Sequence, residues 1–167
     1  MDIGEAKNMI RALPLSKTVP QLWADLGCGS GLFTRALISL LPSRSTVYAF
    51  DKSPQVFNDP GIHFFQLDFE RNTLPVPPLS GILMANSLHY IGDQLKLIGR
   101  LKSLLQPDGI IALIEYDTQE ANPWVPYPVP SQRARTLATG TGFKNFSLLS
   151  TKRSVYQEGG MYLAAIS

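Results

Sequence analysis

Between Trp23 and Phe33 the chain reads WADLGCGSGLF. Gly27, Gly29 and Gly31 alternate there, Asp25 stands two residues ahead of the first, and an apolar run follows. A glycine-rich turn from a strand into a helix lets backbone come close to a ligand. The spacing argues against two common ligands. The dinucleotide fingerprint wants glycine at its first, third and sixth positions. Gly27 and Gly29 fit, but Leu32 fills the sixth position and the third glycine comes early, at Gly31. A loop that grips a triphosphate needs Gly-Lys-Ser/Thr, and this turn has none.

The acids say more. A carboxylate at Asp25, at the end of a strand, suits a ligand cation or amine and repels a pyrophosphate. Asp51 follows the glycines by about twenty residues, where an acid accepts hydrogen bonds from both hydroxyls of a ribose. Asp68, followed by Phe69, ends the next apolar run, within reach of an adenine amino group. An amine or cation, a ribose and an adenine without phosphates describe S-adenosylmethionine. Each residue has a plainer alternative. Asp25 could cap a helix N-terminus, Asp51 and Asp68 could be turn or loop acids, and the glycines could serve only a tight turn. Cys28 reads as a small packing residue that offers its backbone N–H, with a reactive thiol as the alternative.

These groups must be positioned by a scaffold. Ile3, Ala6, Met9, Ile10 and Leu13 fall at helical spacing, stopped by Pro14. QLWADLG reads as a buried strand, and Ser30 could cap a helix running to about Leu41. STVYAFD, IHFFQLD and GILMANS read as strands two to four. DQLKLIGRLKSLL reads as an amphipathic helix with Leu95, Ile98, Leu101, Leu104 and Leu105 on one face. Pro107-Asp108-Gly109 marks a turn and IIALIEY a fifth strand. A proline-rich loop with Trp124 and Tyr127 follows, a candidate lid. A short helix over 131–139 comes next, then FSLLSTKRSVY and GMYLAAIS as two strands joined at Glu158-Gly159-Gly160. Strands alternating with helices predict an α/β, Rossmann-like doubly wound sheet, mostly parallel, closed by an antiparallel C-terminal hairpin, seven strands in all. Ligands bind such sheets at the carboxyl ends of the strands, where the glycine turn, Asp51, Asp68 and Asn86 all fall.

ADLGCGSG, the strand ending at Asp51, QLDF, ANSLHYI and LQPDGIIALIE occur in that order. Together they resemble the class I S-adenosylmethionine-dependent methyltransferases, in the branch of small single-domain enzymes that act mostly on small molecules. The resemblance runs from about residue 20 to the C-terminus. It implies that Asp25, Gly27, Cys28, Gly29 and Ser30 surround the methionine part of the cofactor. Asp51 and Lys52 would hold the ribose and its surroundings, Asp68 and Phe69 the adenine, and Asn86 and Ser87 would lie beneath the sulfonium.

Transfer of a methyl group from a sulfonium needs mainly alignment in a dry pocket. A base is needed only where the nucleophile must lose a proton. His89, Glu115 and Asp117 are the candidates at strand ends, with His89 and Glu115 the catalytic pair expected here. His89 could equally pack beside the cofactor and Glu115 be structural. Asn86-Ser87-Leu88-His89 is not the Asn/Asp-Pro-Pro-aromatic signature of amino-group methylation on nucleic-acid bases. His63, His89 and Cys28 lack metal-ligand spacing. The expected activity is direct methyl transfer to a small-molecule acceptor. The alternatives are an enzyme on RNA or protein, using a basic groove of Arg133, Arg135, Lys144, Lys152 and Arg153, and a non-catalytic protein that keeps the cofactor site.

Composition frames these readings. The chain has 167 residues, 44% hydrophobic and 17% charged, which predicts one folded domain over residues 1–167. The net charge of +2 is uneven: residues 121–167 carry five Lys/Arg and one acid. The N-terminal stretch does not read as a secretory signal and no run is long enough to span a membrane. One cysteine rules out an internal disulfide framework. The expected setting is the cytoplasm. Two connections depart from the family. About ten residues join Asp51 to Gly61, and Pro75, Pro77 and Pro78 interrupt the next link. Both crossover helices should be shortened or missing. The sheet near the third strand would then lose cover, and a homodimer or partner contact is expected there.

Overall fold

The computed structural model describes residues 1–152 and 160–167. Seven strands form one sheet: β1 Leu22–Leu26, β2 Thr46–Asp51, β3 Ile62–Gln66, β4 Leu79–Ala85, β5 Leu105–Tyr116, β6 Phe146–Lys152 and β7 Met161–Ile166. Their order is β3-β2-β1-β4-β5-β7-β6. The first five run parallel, and β7 pairs antiparallel with both β5 and β6. The join expected at Glu158-Gly159-Gly160, the end of the FSLLSTKRSVY run and Arg153 of the basic groove fall on or beside residues 153–159, outside the described residues.

Helices α1 (Ile3–Ile10), α2 (Leu32–Ile38), α3 (Gln94–Lys102) and α4 (Ser131–Gly140) cover the two faces. Ala6, Met9 and Ile10 of α1 and Phe33, Ala36 and Leu37 of α2 pack on Trp23, Val47, Leu83 and Ile114. On the other face Leu97, Ile98 and Leu101 of α3 and Ala134, Leu137 and Ala138 of α4 pack on Leu26, Phe50, Met84 and Leu113. Asp2 caps α1 by a reciprocal exchange with Glu5, and Asp93 caps α3 through the Lys96 N–H.

Four local expectations are corrected. Ser30 does not cap α2. The cap position is Gly31, left-handed at φ 85°, and makes no side-chain cap bond. The turn needs its left-handed residue one place later, and only glycine adopts it cheaply. The helix ends at Ile38 rather than Leu41. The buried face of α3 is Gln94, Leu97, Ile98 and Leu101, while Leu95 is 48% exposed and Leu105 already belongs to β5. Finally, Pro107-Asp108-Gly109 is no separate turn. It lies inside β5, where the register slips between Leu79↔Leu105 and Gly81↔Ile110. A bulge lets the strand bend without ending.

Neither short connection forms a helix between β2 and β3 or between β3 and β4. Other side chains substitute. Phe57, in the first link, packs tilted against Phe64 at 5.8 Å and beneath the Arg35 guanidinium at 4.9 Å, and Arg35 also pairs with Asp59 at 2.9 Å. Leu67, Leu74 and Val76, in the second, pack into the α3/α4 side of the core. Tyr48 and Phe65 stay half-buried on that face beside exposed His63.

Candidate functional site

The carboxyl ends of β1, β2 and β4 are laced together around the glycine turn. The N–H groups of Gly27 and Cys28 both donate to the Phe50 carbonyl, at 2.8 and 3.0 Å. Gly29 N–H donates to Asp51 Oδ2 at 2.8 Å, and Ser53 N–H donates to Asp51 Oδ1 at 2.9 Å. Ser87 Oγ donates to the Leu26 carbonyl at 2.6 Å, tying β4 to β1. Each Asp51 oxygen keeps a further lone pair for a ligand hydroxyl.

The three turn glycines do different work. A Cβ on Gly27 would stand 2.6 Å from Ser87 Cβ, and one on Gly31 2.2 Å from the Phe57 ring. Those two make room for neighbouring protein. Gly29, left-handed at φ 50°, would meet nothing within 4 Å. Its Cβ side is open while its N–H is held by Asp51, so a ligand can approach backbone here.

Asp25 lies under this turn, 1% exposed. Thr34 Oγ1 donates to its Oδ2 at 2.6 Å, while its Oδ1 has no hydrogen-bond partner. Burial pushes its carboxyl up to about 7, against the lowering effect of Thr34, and nearby Asp51 adds to the rise. Asn86, immediately past β4, holds a left-handed backbone at φ 54° with its Oδ1 also buried and unpartnered. Thr34 carried no strong sequence signal. Its one mark was a polar residue on the apolar face of α2.

The remaining expected residues divide. Phe69 is buried, its ring 3.6 Å from the Cβ position of Gly27. Asp68 lies past the end of β3 rather than closing it, and receives Glu70 N–H on Oδ1. Lys52 reaches Asp68 Oδ2 at 3.3 Å, so these two are partners of each other. Ser30 is exposed and contributes only its carbonyl, to Arg35. Cys28 is a packing residue: burial and the neighbouring Asp25 and Asp51 push its thiol far up, so it is no nucleophile at neutral pH.

A second cluster sits beyond β4 and β5. Glu115 Oε1 accepts the N–H groups of Leu88 and His89, at 2.9 and 3.2 Å. Its Oε2 lies 2.5 Å from His89 Nδ1, and both side chains are buried. The loop 117–130 is fastened over this turn. Tyr127 N–H donates to the His89 carbonyl, Gln94 Nε2 to the Tyr127 carbonyl, Ser131 N–H to Asp117 Oδ1, and Tyr162 OH to the Val129 carbonyl. Asp117, the third candidate base, is thus spent on the start of α4. Among the described residues no group of His, Cys, Asp and Glu could hold a metal. None of their helices is long and apolar enough to cross a membrane.

The donor set fits S-adenosylmethionine. A buried acceptor without a donor suits an ammonium group, an acid beside open glycine backbone suits a ribose, and the cation at the turn, Arg35, is taken up by Asp59 and the Ser30 carbonyl.

Comparison with known proteins agrees. Trans-aconitate 2-methyltransferase of Escherichia coli K12 is 32% identical over 113 residues, 65% of this chain and 43% of that protein. The Shigella dysenteriae protein of the same name is 31% identical over the same length. The chain thus spans less than half the length of these relatives. Among solved structures, human N-acetylserotonin methyltransferase in complex with S-adenosylmethionine superposes with a TM-score of 0.72 at 21% identity, over 98% of this chain and 51% of that one. An S-adenosylmethionine-dependent methyltransferase of Leishmania major gives 0.75 at 17% identity, over 99% and 71%. These likenesses are of fold. The methyltransferase-domain family itself matches residues 6–147, and the chain belongs to that family, with the class I S-adenosylmethionine-dependent fold.

Proposed function

We propose that this chain is an S-adenosylmethionine-dependent methyltransferase, one domain over residues 1–167, acting on a small molecule in the cytoplasm. The observation that carries the reading is the pairing of Asp51 with the N–H of Gly29 at 2.8 Å, Gly29 being the one turn glycine whose Cβ position is open. The names of the relatives support a small acceptor.

The cofactor supplies an electrophilic methyl group on a sulfonium. Asp25 Oδ1 receives its ammonium group and Asp51 its ribose hydroxyls. Asp68, with Phe69, would serve the adenine, and Lys52, paired with Asp68 at 3.3 Å, would stand beside the ribose. The backbone of Gly27, Cys28, Gly29 and Ser30 frames the methionine part, with Asn86 and Ser87 forming the floor. His89 takes the acceptor's proton at Nε2. Among the described residues Glu115 bonds to the 88–89 turn and the imidazole, so it is a positioning residue. Its Oε2 faces Nδ1, which favours the tautomer with the proton there and leaves Nε2 as the ring's acceptor nitrogen. Where an acceptor has no proton to lose, the pair serves alignment alone.

Calorimetric titration with S-adenosylmethionine and S-adenosylhomocysteine, beside Asp51→Ala, tests this. Binding that the variant loses is expected. A well-folded chain that binds neither ligand overturns the reading. The half-buried Tyr48 of β2 and Phe65 of the edge strand β3 support pairing with a second copy there, and sedimentation over a range of concentrations checks it.

A further inference from the structure

Most aromatic side chains of this chain are buried or half-buried, as folding favours. Among the described residues three are exposed: Tyr90 at 54%, Trp124 at 74% and Tyr127 at 50%. They stand on two segments, the turn after β4 and the loop after β5. Those segments are joined by Tyr127 N–H donating to the His89 carbonyl at 2.9 Å. The Tyr90 ring packs tilted, at 52°, against the His89 ring with centroids 4.4 Å apart. The Tyr127 ring comes within 3.6 Å of the Cβ position of Gly92. Trp124 is held from its backbone, since Asn122 Oδ1 accepts its N–H at 2.9 Å and Asn122 and Val125 form a bridge. Exposed aromatics on a fastened loop lose little freedom when something stacks on them, so they are inexpensive binding surface.

The charge of the two segments is one-sided. Residues 86–92 and 117–130 contain no lysine or arginine, and their formal charges are Asp117 and Glu120. Asp117 is taken up by Ser131. A polycarboxylate acceptor needs fixed cations to offset its desolvation, and neither segment supplies one. A neutral planar ring needs only faces to stack on.

Resting on the methyltransferase reading, we propose that the acceptor is an uncharged aromatic small molecule with a ring O–H or N–H, stacked on Trp124 and Tyr127 beside His89. The proton of that group passes to His89 Nε2 as the nucleophile is presented.

The two tryptophans allow a direct readout, because Trp23 is 1% exposed and Trp124 74%. With S-adenosylhomocysteine bound, 2-naphthol is titrated against the full chain, following quenching of the solvent-exposed tryptophan emission, with calorimetry in parallel. Trans-aconitate, a tricarboxylate, is the comparison. Naphthol is expected to bind more tightly than trans-aconitate. Trp124→Ala and Tyr127→Ala are each expected to weaken naphthol by about tenfold, with S-adenosylhomocysteine affinity unchanged. Both side chains are exposed, so both variants should fold. Naphthol that fails to bind, binds more weakly than trans-aconitate, or ignores both substitutions overturns the aromatic assignment while leaving the cofactor site standing. Failure of S-adenosylhomocysteine itself to bind overturns the underlying reading instead.

Discussion

Glu115 Oε2 lies 2.5 Å from His89 Nδ1, in a pair that β5 and the turn after β4 bury together. The carboxylate also accepts two backbone N–H groups, so three nitrogens converge on it. Such a group holds the turn and the imidazole at once. Glu115→Gln replaces an acceptor oxygen by a donor NH2. A loss of about 2–4 kcal/mol of stability is expected, read from urea unfolding. His89→Gln is expected to lower kcat about a hundredfold or more toward a protic acceptor, with KM and S-adenosylhomocysteine affinity little changed. A KM effect with intact kcat would give His89 a structural role only.

Asp25 predicts a pH dependence. Unfolded, it ionises near its ordinary 3.8; folded, near 7. Between those values the folded chain holds a proton that the unfolded chain has shed. The stability this contributes is whole below 3.8 and is lost as pH rises to about 7. Asp25→Asn should remove that slope and stabilise the ligand-free protein near neutrality by an amount on the order of a few kcal/mol. Cofactor binding has the opposite sign. An ammonium group needs the carboxylate, so affinity should climb with pH through about 7 in the parent chain and stay flat and weak in the variant. Unfolding and calorimetry across that range check both.

The glycines give a contrast. Gly27→Ala drives a Cβ to 2.6 Å from Ser87 Cβ and should unfold or strongly destabilise the chain. Gly29→Ala meets open space and bears only the left-handed strain, about 1 kcal/mol. It should fold and yet lose cofactor, because its methyl occupies the approach to the backbone. Thermal unfolding beside calorimetry separates the two.

Gln94 is 1% exposed and bridges two elements. Its Nε2 donates to the Tyr127 carbonyl at 2.9 Å, and its Oε1 accepts from Arg133 Nε at 2.7 Å. Gln94→Leu should cost about 1–3 kcal/mol. It should also raise hydrogen exchange at the Tyr127 and Val125 amides more than in the sheet. Equal exchange at those amides and in the sheet would show that the loop does not depend on this bridge.

The sequence by itself determined the strand-by-strand order, the glycine turn, the two short crossovers and the acids at the strand ends. Each is a local property: periodicity, a breaker, or a carboxylate at a fixed distance along the chain. A cluster of prolines and a link of about ten residues each leave no room for a helix interior, so the missing crossovers were legible too. Local reading erred where two conformations compete within a few residues. Ser30 and Gly31 competed for the cap of α2, and a turn competed with a bulge at Pro107-Asp108-Gly109.

Only the tertiary structure decided what the site residues touch. Register brought Gly29 against Asp51 and Leu26 against Ser87 across 22 and 61 residues of chain. Insertion of β7 between β5 and β6 set Tyr162 beneath Val129. The same packing left Asp25 Oδ1 without a donor and closed Glu115 onto His89. Burial and orientation are properties of where two distant segments meet, and no window of sequence contains both.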